Sequence, residues 1–326
     1  MSEILLSESR YRETIYIEFL RILTCFLVIY FLMGDISGVK PEAAFSVDEV
    51  SSRIFFLISG CVLLGKKESL KDVWIKRVLR IGIIILVISF IILVFRRDFD
   101  VYSWPGKILY NEVNSYLKFL YIYIIAMFFL PLLRKIAQNL FLRVPRGLLC
   151  LLILDVVSII VLYVYNSLYF NMLFNILEAM MYMLIGYWCG SVVDIPWRID
   201  CIDILLSAII GIFTFSYFIV WSNFLGGILS IAGFLLVKMF FQKYPPSEKT
   251  SKAIAFGGSL TFGIYLVSGP LQIIAYKVIL SVAQLSFLEG TPLIIVSAMI
   301  LLFIYGIIVV IFKNIPGIGR IVKWFI

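Results

Sequence analysis

Apolar runs long enough to cross a lipid bilayer recur along almost the whole chain, and they leave it few ways to fold. They fall at about 15–33, 53–65, 78–95, 116–133, 148–165, 170–190, 201–221, 223–241, 254–276 and 292–312. The second is short and contains Gly60, so it reads as re-entrant or buried in protein. Only Ser222 and Asn223 divide the seventh from the eighth. The chain is 62% hydrophobic, against roughly half in a soluble domain. Backbone in lipid must satisfy its own hydrogen bonds, which selects helices over open strands. The expectation is an all-α polytopic membrane protein, a bundle of about ten transmembrane helices forming a single domain over residues 1–326.

The basic residues set an orientation. Arg21 and Lys118 fall inside runs, and 20 of the other 26 Lys and Arg fall in alternate segments that include the N-terminus. Lys40, Arg53, Arg96, Arg97, Lys107 and Lys277 make up the opposite set. That asymmetry places both termini in the cytoplasm and requires an even number of crossings. The first fourteen residues are polar and mixed in charge, so the first run is expected to act as its own insertion signal. The tail 313–326 pairs Lys313, Arg320 and Lys323 with Trp324 and reads as an interfacial anchor.

The net charge of +8 does not indicate a nucleic-acid partner, because the basic residues flank apolar runs, where lipid headgroups are their natural contacts. The five cysteines, Cys25, Cys61, Cys150, Cys189 and Cys201, lie in or beside apolar segments without a CxxC pair, so they read as reduced, buried thiols. The chain has no histidine, which removes imidazole bases, imidazole metal ligands and every Ser-His or Cys-His arrangement.

Charges at membrane depth are the candidate functional residues. Glu18 and Arg21 stand three apart in the first run, so on a helix they share a face. Asp155 lies within LLILDVVSII and Glu178 within NILEAMMYML. Each should face the bundle and find a partner, with Arg21 the evident cation. Such residues either mark a substrate path or form an ion pair that only fixes helix packing. At the start of the third run, Arg77 and Arg80 are spaced for bidentate capture of phosphate, or are an ordinary positive flank.

Four stretches together resemble the acyltransferase 3 family of bacterial integral membrane O-acyltransferases. YIEFLRILTCFLVIY (16–30) resembles the family's opening helix "hxxDxLRxxA". IFFLISGCVLLGKKESLKDVWIKRVLRI (54–81) resembles its "FFxxSGxLL" helix, basic loop and RxxR. LKFLYIYIIAMFFLPLLRKI (117–136) and SLTFGIYLVSGPL (259–271) resemble its "LWFLYxLIxxYLxxP" and "TFGIYLxHxP" helices. The resemblance implies transfer of an acyl group, commonly acetyl, from cytoplasmic acyl-CoA to a hydroxyl of a cell-envelope polysaccharide or lipid-linked glycan. The location implied is the bacterial cytoplasmic membrane. No metal is implied, and the implied partners are membrane lipids and the glycan acceptor. Arg21 matches the family's first-helix arginine, Glu18 stands where an Asp or Glu is usual, and Arg77 and Arg80 match the RxxR that handles the donor.

The departures concern histidine. The family's first-helix histidine, its presumed general base, falls at Leu32; two further family histidines fall at Tyr116 and Ser268. Leu32 is about 16 Å along the helix from Arg21. Without imidazole, Asp35, about one helical turn beyond Leu32, is the nearest base for an acceptor hydroxyl. The site implied is therefore Arg21, Glu18 and Asp35 for chemistry, Arg77 and Arg80 for the donor, and Asp155, Glu178, Ser268 and Tyr116 along the substrate path. The alternatives are a catalytically inactive relative that binds or transports an envelope precursor, or an altered form of an active parent.

Overall fold

A computed structural model of the chain describes residues 2–37, 47–66, 68–95, 117–140, 168–192, 221–284 and 290–315. Among the described residues the regular structure is helical throughout. The expected runs 148–165 and 201–220, the tail 316–326, and the sites Tyr116 and Asp155 lie outside the described residues.

The helices are α1 (Ser2–Ser37), α2 (Val47–Leu63), α3 (Leu70–Val73), α4 (Arg80–Phe95), α5 (Lys118–Phe128), α6 (Leu130–Leu140), α7 (Leu168–Tyr187), α8 (Trp221–Lys243), α9 (Glu248–Ser268), α10 (Gln272–Ala283) and α11 (Gly290–Asn314). A π-helical segment, Trp74–Leu79, joins α3 to α4, and another, Trp188–Val192, extends α7. Among the described residues, three helical stretches are long and apolar enough to cross a membrane: Thr14–Gly34, Lys71–Val94 and Gly290–Asn314. Residues Ile295, Met299, Phe303, Ile307 and Ile311 recur every fourth position of α11 as an exposed apolar stripe, while Ile294, Ala298, Leu301 and Tyr305 are buried behind it. Such a stripe suits lipid and would invite aggregation in water.

Two expected spans are broken. The run 116–133 is two helices, α5 and α6, bent by 61° about Phe129. Pro131 has no N–H to donate to the carbonyl of Met127, and its ring crowds that carbonyl, so a continuous helix is interrupted there. The run 254–276 ends at Ser268, where Gly269 and Pro270 separate α9 from α10. The Leu271 carbonyl opens α10 by accepting from the amides of Ile274 and Ala275 at 2.9 and 3.3 Å, and it also accepts from the Tyr305 hydroxyl at 3.4 Å. Two helices also begin earlier than expected: α2 starts at Val47, and α8 starts at Trp221 with Ser222 and Asn223 in its first turn.

The chain divides into two compact units. The first comprises residues 1–52, 90–99 and 229–326. In it α1 packs on α9 and α11, and α10 packs on α11. The shared core includes Cys25, Ile29, Met33, Ile264, Ala298 and Tyr305. Gly257 and Gly258 of α9 face Ile22 and Glu18, and the Cys25 thiol lies 3.6 Å from the carbonyl of Thr261. Residue numbers rise together along both helices, so α1 and α9 run parallel.

The second unit comprises residues 53–89 and 100–228. Its tightest seam lies between α2 and α7. A Cβ on Gly60 would collide with the backbone of Met183, and one on Gly186 with the backbone of Leu57. Glycine is required at both places for the helices to approach this closely. Phe119 of α5 packs against Phe55 and Phe56 of α2 at centroid distances of 5.5 and 5.1 Å. Cys25, Cys61 and Cys189 are thiols, and Cys150 and Cys201 lie outside the described residues.

Candidate functional site

The densest polar cluster in the second unit surrounds Glu68, in the short link between α2 and α3. The link arises because α2 ends at Leu63 and Ser69 caps α3, its hydroxyl accepting from the Asp72 amide at 3.2 Å. Arg77 lies in the π-helical segment and grips the Glu68 carboxylate with its Nη2 at 2.9 and 3.1 Å and its Nε at 3.3 Å. A π-helical segment shifts the register of the side chains that follow it and is common at functional sites. Arg134 reaches the same carboxylate from α6 at 3.4 Å. It also donates to the carbonyl of Glu68 at 2.9 Å and to that of Leu63 at 3.1 and 3.2 Å. The Leu63 carbonyl is among the last of α2, so Arg134 caps that helix. The hydrogen bond from Arg77 is the chief reason the Glu68 carboxyl is held below the usual carboxylate range, with the charges of Arg77, Lys66 and Arg134 adding to it against partial burial. Arg80, half-buried at the start of α4, is near enough to Arg77 for the two charges to repel.

The arrangement thus gathers Lys66, Arg77 and Arg134 about one carboxylate, with Arg80 near Arg77. The cations outnumber the carboxylates Glu68 and Asp72 of this segment, which leaves a net positive site suited to phosphate. The sequence expected Arg77 to present its guanidinium to a donor. The structure gives that guanidinium an internal carboxylate.

In the first unit, Glu18 and Arg21 pair along α1 at 2.8 Å, and both side chains are partly exposed. Their sequence spacing predicts this contact. Gly258 supplies the room that the Glu18 side chain occupies. Farther along α1, Leu32 packs against the apolar core shared with α9, α10 and α11. Ser268 is buried at the end of α9, where its hydroxyl donates to the carbonyl of Tyr265 at 2.9 Å. Asp35 belongs to the last turn of α1.

Glu178 finds a partner that the sequence reading did not assign. Arg21 was the expected cation for one of the deep carboxylates; the structure gives it Glu18 and pairs Glu178 with Arg53 of α2, through Nη2 at 2.7 Å and Nε at 2.8 Å. The Arg53 guanidinium also lies over the Tyr182 ring, 5.6 Å from its centroid. Arg53 stands at the very start of the expected run 53–65 and is counted there with the flanking charges. With α2 beginning at Val47, it stands within the helix and is only 4% exposed. Arg134 and Lys238, also read as flank charges, are likewise buried in helices. Glu68, Arg53 and Arg134 are the functional candidates missed. The available signal was a lone carboxylate, Glu68, in an otherwise basic link.

A family model described as an acyltransferase domain matches residues 14–312, nearly the whole chain. The chain belongs to the acyltransferase 3 family. Its four resembling stretches fall in α1, across α2 to α4, in α5 and α6, and in α9. Membership in that family together with the apolar helices makes this a membrane protein. No curated protein and no solved structure matches it. Of the positions where the resemblance places family histidines, Leu32 is partly buried against the core of the first unit and Ser268 is buried at the end of α9.

Proposed function

We propose that the chain is an integral membrane acyltransferase that moves an acyl group, acetyl being the expected one, from acyl-CoA to a hydroxyl of a cell-envelope polysaccharide or glycan precursor. The observation that supports it most is the cationic cluster of Lys66, Arg77 and Arg134, with Arg80 near Arg77, since Arg77 and Arg80 are the residues that match the RxxR of a family of acyltransferases. In this reading the cluster faces the cytoplasm of a bacterial cell, with both termini on the same side, and binds the phosphates of CoA. The acceptor oxygen attacks the thioester carbonyl, the C–S bond breaks, and CoA leaves as a thiolate that then takes up a proton. Arg21, held by Glu18, lies about 21 Å along α1 from Asp35 and therefore lines the donor's path instead of touching the reacting carbonyl. Asp35 removes the hydroxyl proton, because no imidazole exists to do so.

Equilibrium binding of acyl-CoA to the purified full chain tests the donor half. Arg80→Ala should weaken binding by about tenfold, the loss of one charge-assisted contact. Unchanged affinity in that variant, or no binding by the parent, counts against the reading. Asp35→Asn tests the base and should abolish transfer while donor binding persists.

The second reading is a non-catalytic binder or transporter of an envelope precursor. It is favoured by Leu32, which packs as a core residue at the position of the family's presumed base. Glu178 and Asp155 would then serve the substrate path. Joint replacement Leu32→His, Tyr116→His and Ser268→His separates the two. Transfer by the unaltered chain removes the transporter reading. Transfer only after replacement identifies an acyltransferase scaffold that lost its base.

A further inference from the structure

We propose that Glu68 is an internal substitute for a donor phosphate, and that acyl-CoA binds by displacing its carboxylate from Arg77 and Arg134. This rests on the donor role assigned above to the cationic cluster, and it adds a residue that sets the donor affinity. The Glu68 carboxylate accepts three hydrogen bonds from Arg77, at 2.9, 3.1 and 3.3 Å, and a longer one from Arg134 at 3.4 Å. That is the planar, bidentate geometry in which arginine binds phosphate as readily as carboxylate.

The backbone around Glu68 is fixed independently of its carboxylate. Arg134 holds the Glu68 carbonyl at 2.9 Å, and Ser69, the next residue, caps α3. The carboxylate can therefore leave by rotation of the side chain, without moving α2 or α3. Glu68 and Arg77 are both partly exposed, so an incoming anion has access to the pair. A phosphate carries at least as much negative charge as the carboxylate it replaces, and the charge of Lys66 already acts at that position. In the empty protein Glu68 keeps the arginines paired; in the loaded protein it competes with the donor and speeds its release.

Binding of CoA, and of inorganic pyrophosphate as a minimal probe, is to be measured on the full chain in lipid nanodiscs, for the parent and for Glu68→Gln. Removing the competing charge should tighten CoA binding about tenfold and pyrophosphate binding in the same direction. In turnover, KM for acyl-CoA should fall without a rise in kcat. Glu68→Asp, which keeps the charge on a shorter arm, should give a smaller gain and serves if Glu68→Gln does not fold. Equal affinity in parent and variant overturns the displacement while leaving the donor site intact. Weaker binding in Glu68→Gln shows that Glu68 instead holds Arg77 in place, and also overturns it. Absence of CoA binding in every protein overturns the donor site and this inference together.

Discussion

In the first unit, α9 turns Gly257 and Gly258 toward Ile22 and Glu18 of α1; in the second, α2 and α7 bring Gly60 and Gly186 against each other's backbones. Each seam has an ion pair beside its glycines. Glu18 and Arg21 are three residues apart on one helix, so their bond holds no two helices together. Arg53 and Glu178 are 125 residues apart and tie α2 to α7. The glycines differ likewise. Gly258 makes room for a side chain, whereas Gly60 and Gly186 make room for backbone. A side chain can rotate away from an intruding methyl group, but a helix backbone can only separate from it. The α2–α7 seam is thus the rigid one, and the α1–α9 seam can rearrange around Glu18.

The sharpest way to break this contrast is to remove one member of the long-range pair. Arg53→Ala should lower stability by up to about 3 kcal/mol, since the partly buried Glu178 would lose the counter-charge that the buried Arg53 supplies. Thermal denaturation in detergent measures it, and the joint change Arg53→Leu with Glu178→Leu should recover most of the loss. A silent Arg53→Ala would mean that the glycines alone hold the seam.

Next in size is the glycine comparison. Gly186→Ala should cost about 1–3 kcal/mol through forced separation of α2 from α7. Gly258→Ala should cost less: the Glu18 carboxylate can turn aside, and the remaining contact, 2.8 Å to the Glu18 Cβ, asks a smaller shift of α1 than the backbone collision at Gly186 asks of α2. Equal losses would remove the distinction between the seams.

Arg21→Ala should change stability by less than about 1 kcal/mol, as expected for a partly exposed local pair. Under the acyltransferase reading it should nonetheless abolish transfer, and assay of both quantities on one preparation separates the roles.

A pH series extends the comparison to the Glu68 link. The folded-state pKa of Glu68 is lowered, chiefly by Arg77. Its stabilising contribution is therefore complete above the ordinary glutamate value of about 4.3 and is lost as pH falls through the lower folded value. The melting temperature of the parent should fall over that interval, and that of Glu68→Gln, which lacks the titrating carboxylate, should fall less. The smallest effect belongs to Lys252→Ala, which breaks the exposed pair with Glu248 in the first turn of α9 and should leave the melting temperature unmoved.

The sequence alone determined the helical class, most of the apolar runs, the family and the Glu18–Arg21 contact. These depend on composition and on neighbours within one helical turn, where geometry follows from spacing. Breaks at Phe129 and after Ser268 were also within its reach, through Pro131 and Pro270, but the continuous hydropathy there concealed them. Only the tertiary structure decided that Glu178 takes Arg53, that Arg134 caps α2, and that Arg77 is already occupied by Glu68. A carboxylate in a low-dielectric interior selects whichever cation the helix packing carries to it, and that depends on the approach of α2 to α7 and of α6 to the 64–69 link. Periodicity along a single helix does not encode which distant helix its charged face will meet.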